Sequence, residues 1–348
     1  GDVYKRQGFG EGADAYQTYF VNFIEKPVEP LIWGLLFLVI CIYVVVRGVS
    51  AGIERMSKIL MPVLFLILIA CVVRAVTLPG AADGVAFMLT VNPEDFNRDT
   101  LVGALGQAFF SLSVGMGIMV TYGSYVPKKE NLVKSAAWIC FLDTMVAILS
   151  AFAIIPVVFV TLGAEGLGMG GGFAFMALPE GFAGFPGGVL FGLAFFILLF
   201  LAALTSAISI LESCCAFITE EWKVSRLKAA VGLSVPMALL SAGYSLSQSA
   251  ARGINLPWFD FADGLQMLPM NAVMEKFTDN LMIPVGAFFF CIFTGWVWGI
   301  GKAEAEIEAE GSCRFGLKRL WGAIVKFVAP AFILVILYFT VGKGQGLS

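Results

Sequence analysis

The chain has 348 residues, of which 59% are hydrophobic and only 14% charged, with a formal net charge of -3 and a mean hydropathy of +0.88. A soluble domain carries about a quarter charged residues because its surface faces water, so this composition excludes a soluble globular protein, and no basic patch points to nucleic acid. Histidine is absent, which excludes a Ser-His-Asp triad, a histidine-ligated zinc site and an imidazole proton relay.

Residues Gly1 to Gln7 are polar, lack an initiating Met and read as a non-native scar, followed by an extracellular loop remnant over 8–30. Apolar windows of about 19 residues then predict eight membrane spans near 31–48, 58–79, 101–125, 134–161, 188–218, 229–247, 275–299 and 323–342. They form one transmembrane domain over 31–342, with a short tail at 343–348. Loops at 49–57, 126–133, 219–228 and 300–322 are basic or flanked by basic residues, among them Arg55, Lys128, Lys223 and Lys318, while the loops between are nearly free of base. Basic loops stay cytoplasmic, so residue 31 starts on the outer face and an odd number of further spans is expected upstream. The outer loop at 166–173 contains a formal GxGxxG at Gly166, Gly168 and Gly171. No strand precedes it, so it reads as flexible backbone rather than a nucleotide site. The run AEAEIEAEG that follows the seventh span is expected to be a solvated helix or tether. Seven cysteines without CxxC spacing, mostly inside apolar segments, read as buried structural thiols.

Three spans carry candidate chemistry. In ALGQAFFSLSVGMGIMVTYGSYV, Ser111, Ser113, Gly115 and Gly117 fall within seven residues. Glycine costs about 1 kcal/mol relative to alanine in a helix, and serine bonds nearby backbone, so this stretch can unwind. Unwound backbone at membrane depth must face protein or a hydrated cavity, and its carbonyls are ready ligands for a cation or an ammonium group. The competing reading is a small-residue packing face. The fourth span places Asp143 near mid-bilayer with no basic partner in the same span. A carboxylate there is a functional candidate by default, with a sodium ion as natural counter-charge, because hard cations take oxygen ligands; the alternative is a carboxyl hydrogen-bonded in a helix interface. The fifth span contains FLAALTSAISILE, where Thr205 and Ser206 stand side by side and the carbonyl of Ala202 lies one turn earlier. Intrahelical back-bonding is the usual fate of such hydroxyls.

Together and in this order, these segments resemble the neurotransmitter:sodium symporter family. GQAFFSLSVGMGIMVTYGSYV is similar to its sixth helix and LDTMVAILSAFAIIP to its seventh. LTSAISILE, DNLMIPVGAFFFCIFTGWVWG and KFVAPAFILVILYF are similar to the eighth, tenth and eleventh. The resemblance covers everything after about residue 28. It implies an all-α, polytopic, leucine-transporter-type inverted-repeat fold whose eight helices equal helices four to eleven, the first three being absent.

Carried over residue by residue, Ser111 and Asp143 match ligands of a first sodium site, with Gln107 beside it. Ala202 (carbonyl), Thr205 and Ser206 match a second. Phe110, Ser111, Ser113, Met116, Ser206 and Ile210 match the substrate pocket. Tyr125 and Glu220 match a cytoplasmic gate, and Glu275, or Asp279 if the register slips, matches an outer one. Both Na+ sites would be incomplete here, because the family's first helix supplies half of each, so the isolated chain is not expected to transport.

The implied function is sodium-coupled symport of a neutral, hydrophobic or aromatic amino acid by alternating access in a bacterial inner (plasma) membrane. Asp143 would replace bound chloride with fixed charge, making transport chloride-independent. The implied partners are the amino-acid substrate, sodium ions and the lipid bilayer, with a homodimer as candidate assembly. The alternative is a non-transporting sensor or a structural remnant of the same fold. An enzyme ranks last, since Asp143 has no second carboxylate in register.

Overall fold

Apolar runs too long for a soluble helix fold into long continuous helices. The computed structural model describes residues 12–93, 96–163, 175, 178–179, 182, 187–260, 264–309 and 315–342. Helices α1 (Gly12–Ile24) and α2 (Glu29–Val46) lead through a π-helical turn, Val49–Glu54, into α3 (Arg55–Val76) and α4 (Ala81–Leu89). Helices α5 (Arg98–Ser111), α6 (Ile118–Tyr125), α7 (Leu132–Leu162), α8 (Gly188–Glu221) and α9 (Arg226–Ser247) follow. A β-hairpin of β1 (Asn255–Asp260) and β2 (Gly264–Pro269) precedes α10 (Met270–Ile307) and α11 (Lys318–Val341).

Among the described residues, seven helices are long and apolar enough to cross a membrane: α2, α3, α7, α8, α9, α10 and α11. The remaining expected span, 101–125, is not one continuous helix but the pair α5 and α6, with non-helical backbone between Ser111 and Ile118. Large apolar side chains point outward along the long helices, with Leu66 and Leu239 each 69% exposed and Phe289 63%. Water would not tolerate faces of this extent, whereas lipid does. The scar at 1–7, the glycine-rich loop at 166–173 and the tail at 343–348 lie outside the described residues.

One departure from the sequence reading concerns secondary structure. The hairpin pairs Asn255 with Pro269 and Asp260 with Gly264 in antiparallel register. Its strands are six residues each and alternate in burial, a short period-two signal easily lost between long apolar helices. Of the two expectations for the acidic run, helix or tether, its first part takes the helical one: α10 runs on to Ile307, with Ala303 buried. Cys41, Cys71 and Cys215 are buried thiols as expected, but Cys140 and Cys214 are exposed on the chain.

The chain divides into two compact units. One holds residues up to 92, 145–211 and 224–250; the other holds 93–144, 212–223 and the chain from 251 onward. The first unit is centred on Leu64, Leu68, Cys71 and Ala75 of α3, which pack with Val157 and Val158 of α7 and with Phe195 and Leu198 of α8. The spacing of four, three and four residues along α3 is the stripe that one helix presents to another. At the end of α2, Arg226 Nε donates 2.7 Å to the carbonyl of Val45, which also accepts the N–H of Gly48 at 3.0 Å, so one carbonyl near the helix C-terminus serves two donors. Helix α4 crosses α7 at Gly84, where a Cβ would sit 2.8 Å from Pro156 Cα and 3.1 Å from Phe159 Cβ. Gly84→Ala is therefore expected to destabilise the protein by about 1–3 kcal/mol through overpacking. The measurement is the thermal melting of the detergent-solubilised protein, and an unchanged midpoint would refute the close approach.

Candidate functional site

In the second unit, helix α5 stops where the small polar residues begin. Ser113 takes a left-handed φ of 54°, and Gly115 and Gly117 follow at 95° and 77°. Serine in that region is disfavoured by about 1–2 kcal/mol relative to a right-handed turn, so three left-handed residues within five positions make continuation of the helix impossible. The loop is seated on α10. A Cβ on Gly115 would run into the backbone of Ile283 and Ala287, and one on Gly286 into the carbonyl of Gly115. Backbone lies directly on backbone there, which only the two glycines permit. The small-residue packing face and the unwound segment, alternatives in the sequence, both occur in this one stretch.

The residue that closes α5 faces the intramembrane carboxylate. Ser111 Oγ donates 2.5 Å to Asp143 Oδ2, and both residues are half-buried. Among the described residues no lysine or arginine pairs with Asp143. The pair thus places a hydroxyl and a carboxylate beside a stretch of non-helical carbonyls, an all-oxygen donor set suited to a hard cation. Gln107, one turn before Ser111, is exposed.

The second expected sodium set lies in the first unit, on α8. Thr205 Oγ1 donates to the carbonyl of Ala202 at 2.9 Å, with the carbonyl of Leu201 at 3.1 Å, and Ser206 is exposed. Back-bonding of this kind uses the hydroxyl proton and leaves oxygen lone pairs as acceptors. Of the expected substrate residues, Phe110, Ser111, Ser113 and Met116 belong to the second unit, and Ser206 and Ile210 to the first; each half is described by itself. Phe110 is 54% exposed, while Ser113 and Met116 are half-buried. Ile210 lines an apolar cavity of about 350 Å³ within the first unit, together with Gly34, Phe37, Met237 and Ser241.

The expected gate residues separate. Tyr125 Oη donates 2.7 Å to Glu212 Oε1, and Glu212 is fully buried. One turn earlier on α6, Thr121 Oγ1 meets Ser213 Oγ at 3.3 Å, so a polar seam runs along α6 in the second unit. Glu220 is exposed and Glu275 is exposed, whereas Asp279 is half-buried and accepts from Thr278 Oγ1 at 3.0 Å. Sequence reasoning gave Glu212 no role. The signal was present, since an acidic residue inside an apolar span needs a partner, but its partner stands 87 residues away.

An interrupted span facing a carboxylate, inside a bundle of long apolar helices, is the architecture of a secondary transporter rather than an enzyme. A profile of the Sodium:neurotransmitter symporter family matches residues 23–347, and the chain belongs to that family of multi-pass membrane proteins. It is 33% identical over 331 residues to the sodium-dependent transporter YhdH of Bacillus subtilis, covering 94% of this chain and 70% of the relative. A sodium-dependent transporter of Haemophilus influenzae is also 33% identical, over 92% of this chain and 68% of the relative. The crystal structure of MhsT in complex with L-phenylalanine superposes with a TM-score of 0.80 at 34% identity, over 95% of this chain and 73% of MhsT.

The Tyr125–Glu212 hydrogen bond makes a prediction independent of transport. Tyr125→Phe is expected to destabilise the protein by about 1–3 kcal/mol, the range for a hydrogen bond to a buried carboxyl group. In a thermal-melting cycle with Glu212→Gln the two losses should not add; strict additivity would show that the pair does not interact.

Proposed function

We propose that the protein is a sodium-coupled symporter of a neutral, hydrophobic or aromatic amino acid in a bacterial plasma membrane. The observation that carries this reading is the Ser111–Asp143 pair at the break between α5 and α6. Sodium would be held there by the Ser111 hydroxyl, the Asp143 carboxylate and carbonyls of the break, all hard oxygen donors. A second sodium ion would use Thr205, Ser206 and the Ala202 carbonyl. The same break would take the substrate amine on its carbonyls, so ion and substrate share one piece of backbone. That sharing is what couples downhill sodium entry to amino-acid uptake, with access alternating between the two sides.

Phe110, Met116 and Ile210 bring apolar surface and no charge, which favours an uncharged side chain. The related MhsT, solved with L-phenylalanine, supports an aromatic or similar substrate. Met116 is unbranched and flexible enough to repack around different shapes. Asp143 would supply fixed negative charge beside sodium, removing the need for a bound chloride. Tyr125, Glu220 and Glu275 are the proposed gate positions.

The test is uptake into proteoliposomes by the protein expressed from its complete reading frame. An inward sodium gradient should drive uptake of leucine, phenylalanine or tryptophan in preference to lysine or glutamate. Replacing chloride with gluconate should leave the rate unchanged. Ser111→Ala should raise the half-saturating sodium concentration at least about tenfold, equivalent to about 1.4 kcal/mol, and Asp143→Ala should abolish sodium stimulation. Uptake indifferent to sodium would overturn the reading, and uptake lost in gluconate would overturn chloride independence alone.

A further inference from the structure

Helices α10 and α11 meet through a lysine that stands inside an apolar span. Residues Phe293–Gly299 of α10 and Ile324–Val328 of α11 are both π-helical, a geometry that occurs mostly as single turns and often at functional sites. Gly295 lets the two close up, because a Cβ there would sit 3.0 Å from Lys326 Cγ and 3.4 Å from its Cα. The indole of Trp296 then joins Lys326 twice. Its Nε1 donates to the Lys326 carbonyl at 3.4 Å, and its ring lies under Lys326 Nζ, 5.3 Å from the centroid. Phe327 meets the same indole edge-on, with ring centroids 5.6 Å apart.

Lys326 lies about 12 Å into α11 from Lys318, and Trp296 about 9 Å before Lys302 on α10, at 1.5 Å per residue. Both therefore stand below the basic connection that carries Lys302, Lys318 and Arg319. An ammonium group at that depth needs an anion, since a ring face offsets only part of the cost of leaving water. Among the described residues no carboxylate reaches ion-pair distance of Lys326. The acidic run that starts at Glu304 lies beyond Lys302, and its Glu308 pairs with Lys318 at 2.6 Å. A lysine that merely snorkelled would stretch its stem toward water, whereas this one is folded onto an indole and is half-buried. Trp296 and Phe327 are 57% and 59% exposed, so the outer surface of the cluster is apolar and faces lipid.

We propose that Lys326, Trp296 and Phe327 form a binding site for an anionic phospholipid of the leaflet beside the basic connection, cytoplasmic by the charge of its loops. The ammonium group of Lys326 receives the phosphate, and the indole holds that ammonium in place. The exposed faces of Trp296 and Phe327 take the first carbons of an acyl chain. The basic connection above draws anionic headgroups to the same spot. Selection falls on net headgroup charge, favouring phosphatidylglycerol over zwitterionic phosphatidylcholine. The site is a property of α10 and α11 and does not depend on the symport reading.

Native mass spectrometry of the protein expressed from its complete reading frame, with either lipid added in steps, tests the site. The unaltered protein should bind phosphatidylglycerol at least about fivefold more tightly than phosphatidylcholine, the effect of one basic residue at an anionic surface. Lys326→Met, which keeps the stem and removes the charge, should bring the two lipids within about twofold. Lys326→Arg should keep the preference, as should Lys58→Met, which removes an exposed lysine elsewhere. A second measurement serves even if Lys326→Met folds poorly. In nanodiscs, the Trp296 emission, taken as the difference from Trp296→Phe, should be quenched at least about twofold more by dibrominated phosphatidylglycerol than by dibrominated phosphatidylcholine at equal mole fraction. Equal affinity for the two lipids, an unchanged preference in Lys326→Met, an equal loss in Lys58→Met or equal quenching of Trp296 would each overturn the site.

Discussion

Inside a bilayer a backbone carbonyl or N–H has no water to fall back on, so each one that leaves a helix must find protein, an ion or a ligand. The described chain meets this constraint with three devices. The carbonyl of Val45, at the end of α2, accepts from Arg226. The carbonyl of Asn280, in the π-helical stretch of α10, lies 3.1 Å from the hydroxyl of Thr340 on α11. The break between α5 and α6 is lined by backbone of α10 on one side and opens beside Ser111 and Asp143. At the first two, a side chain from another helix of the protein reaches the carbonyl. At the third, the break's carbonyls stand beside a carboxylate with no lysine or arginine partner among the described residues, and a cation would complete it.

That difference explains why the break is the place where binding energy can be used. A satisfied gap is merely stable. A gap with oxygen donors around it gains on binding a cation, and under the proposed symport the same carbonyls would take an ammonium group. The left-handed φ angles at Ser113, Gly115 and Gly117 hold the loop open against helix formation, and the glycine contact with α10 holds it in place. Strain at a site of this kind persists only because the surrounding packing over-determines it.

Most of the helical framework was legible in the sequence, because long apolar runs and basic loops are strong, local signals. The break was legible too, from serine and glycine crowded into seven positions, and so was Asp143, a carboxylate with no partner in its own span. What remained hidden was pairing across the chain. Tyr125 finds Glu212, and Thr340 finds the carbonyl of Asn280, at separations of 87 and 60 residues, and no periodicity encodes either. The hairpin at 255–269 was hidden for the opposite reason, its signal being local but only six residues long in each strand. The division into two units was also invisible, since its cuts at 144/145 and 211/212 fall inside the continuous helices α7 and α8.

Hidden pairings of this sort share a chemistry. Each involves a hydroxyl as donor and an acceptor away from bulk water: the carboxyl of Glu212, the carboxyl of Asp143, the carbonyl of Asn280. Hydroxyls suit a protein that must change conformation within a membrane. Their one proton can turn between a neighbour and their own helix, as the Thr340 hydroxyl stands between the carbonyls of Asn280 and Ile336 at 3.1 and 3.0 Å. A lysine or arginine in their place would bind its acceptor more strongly and would have to be desolvated again at each opening. The scarcity of charge in this chain thus goes together with hydroxyl contacts that cost about 1–3 kcal/mol each to break.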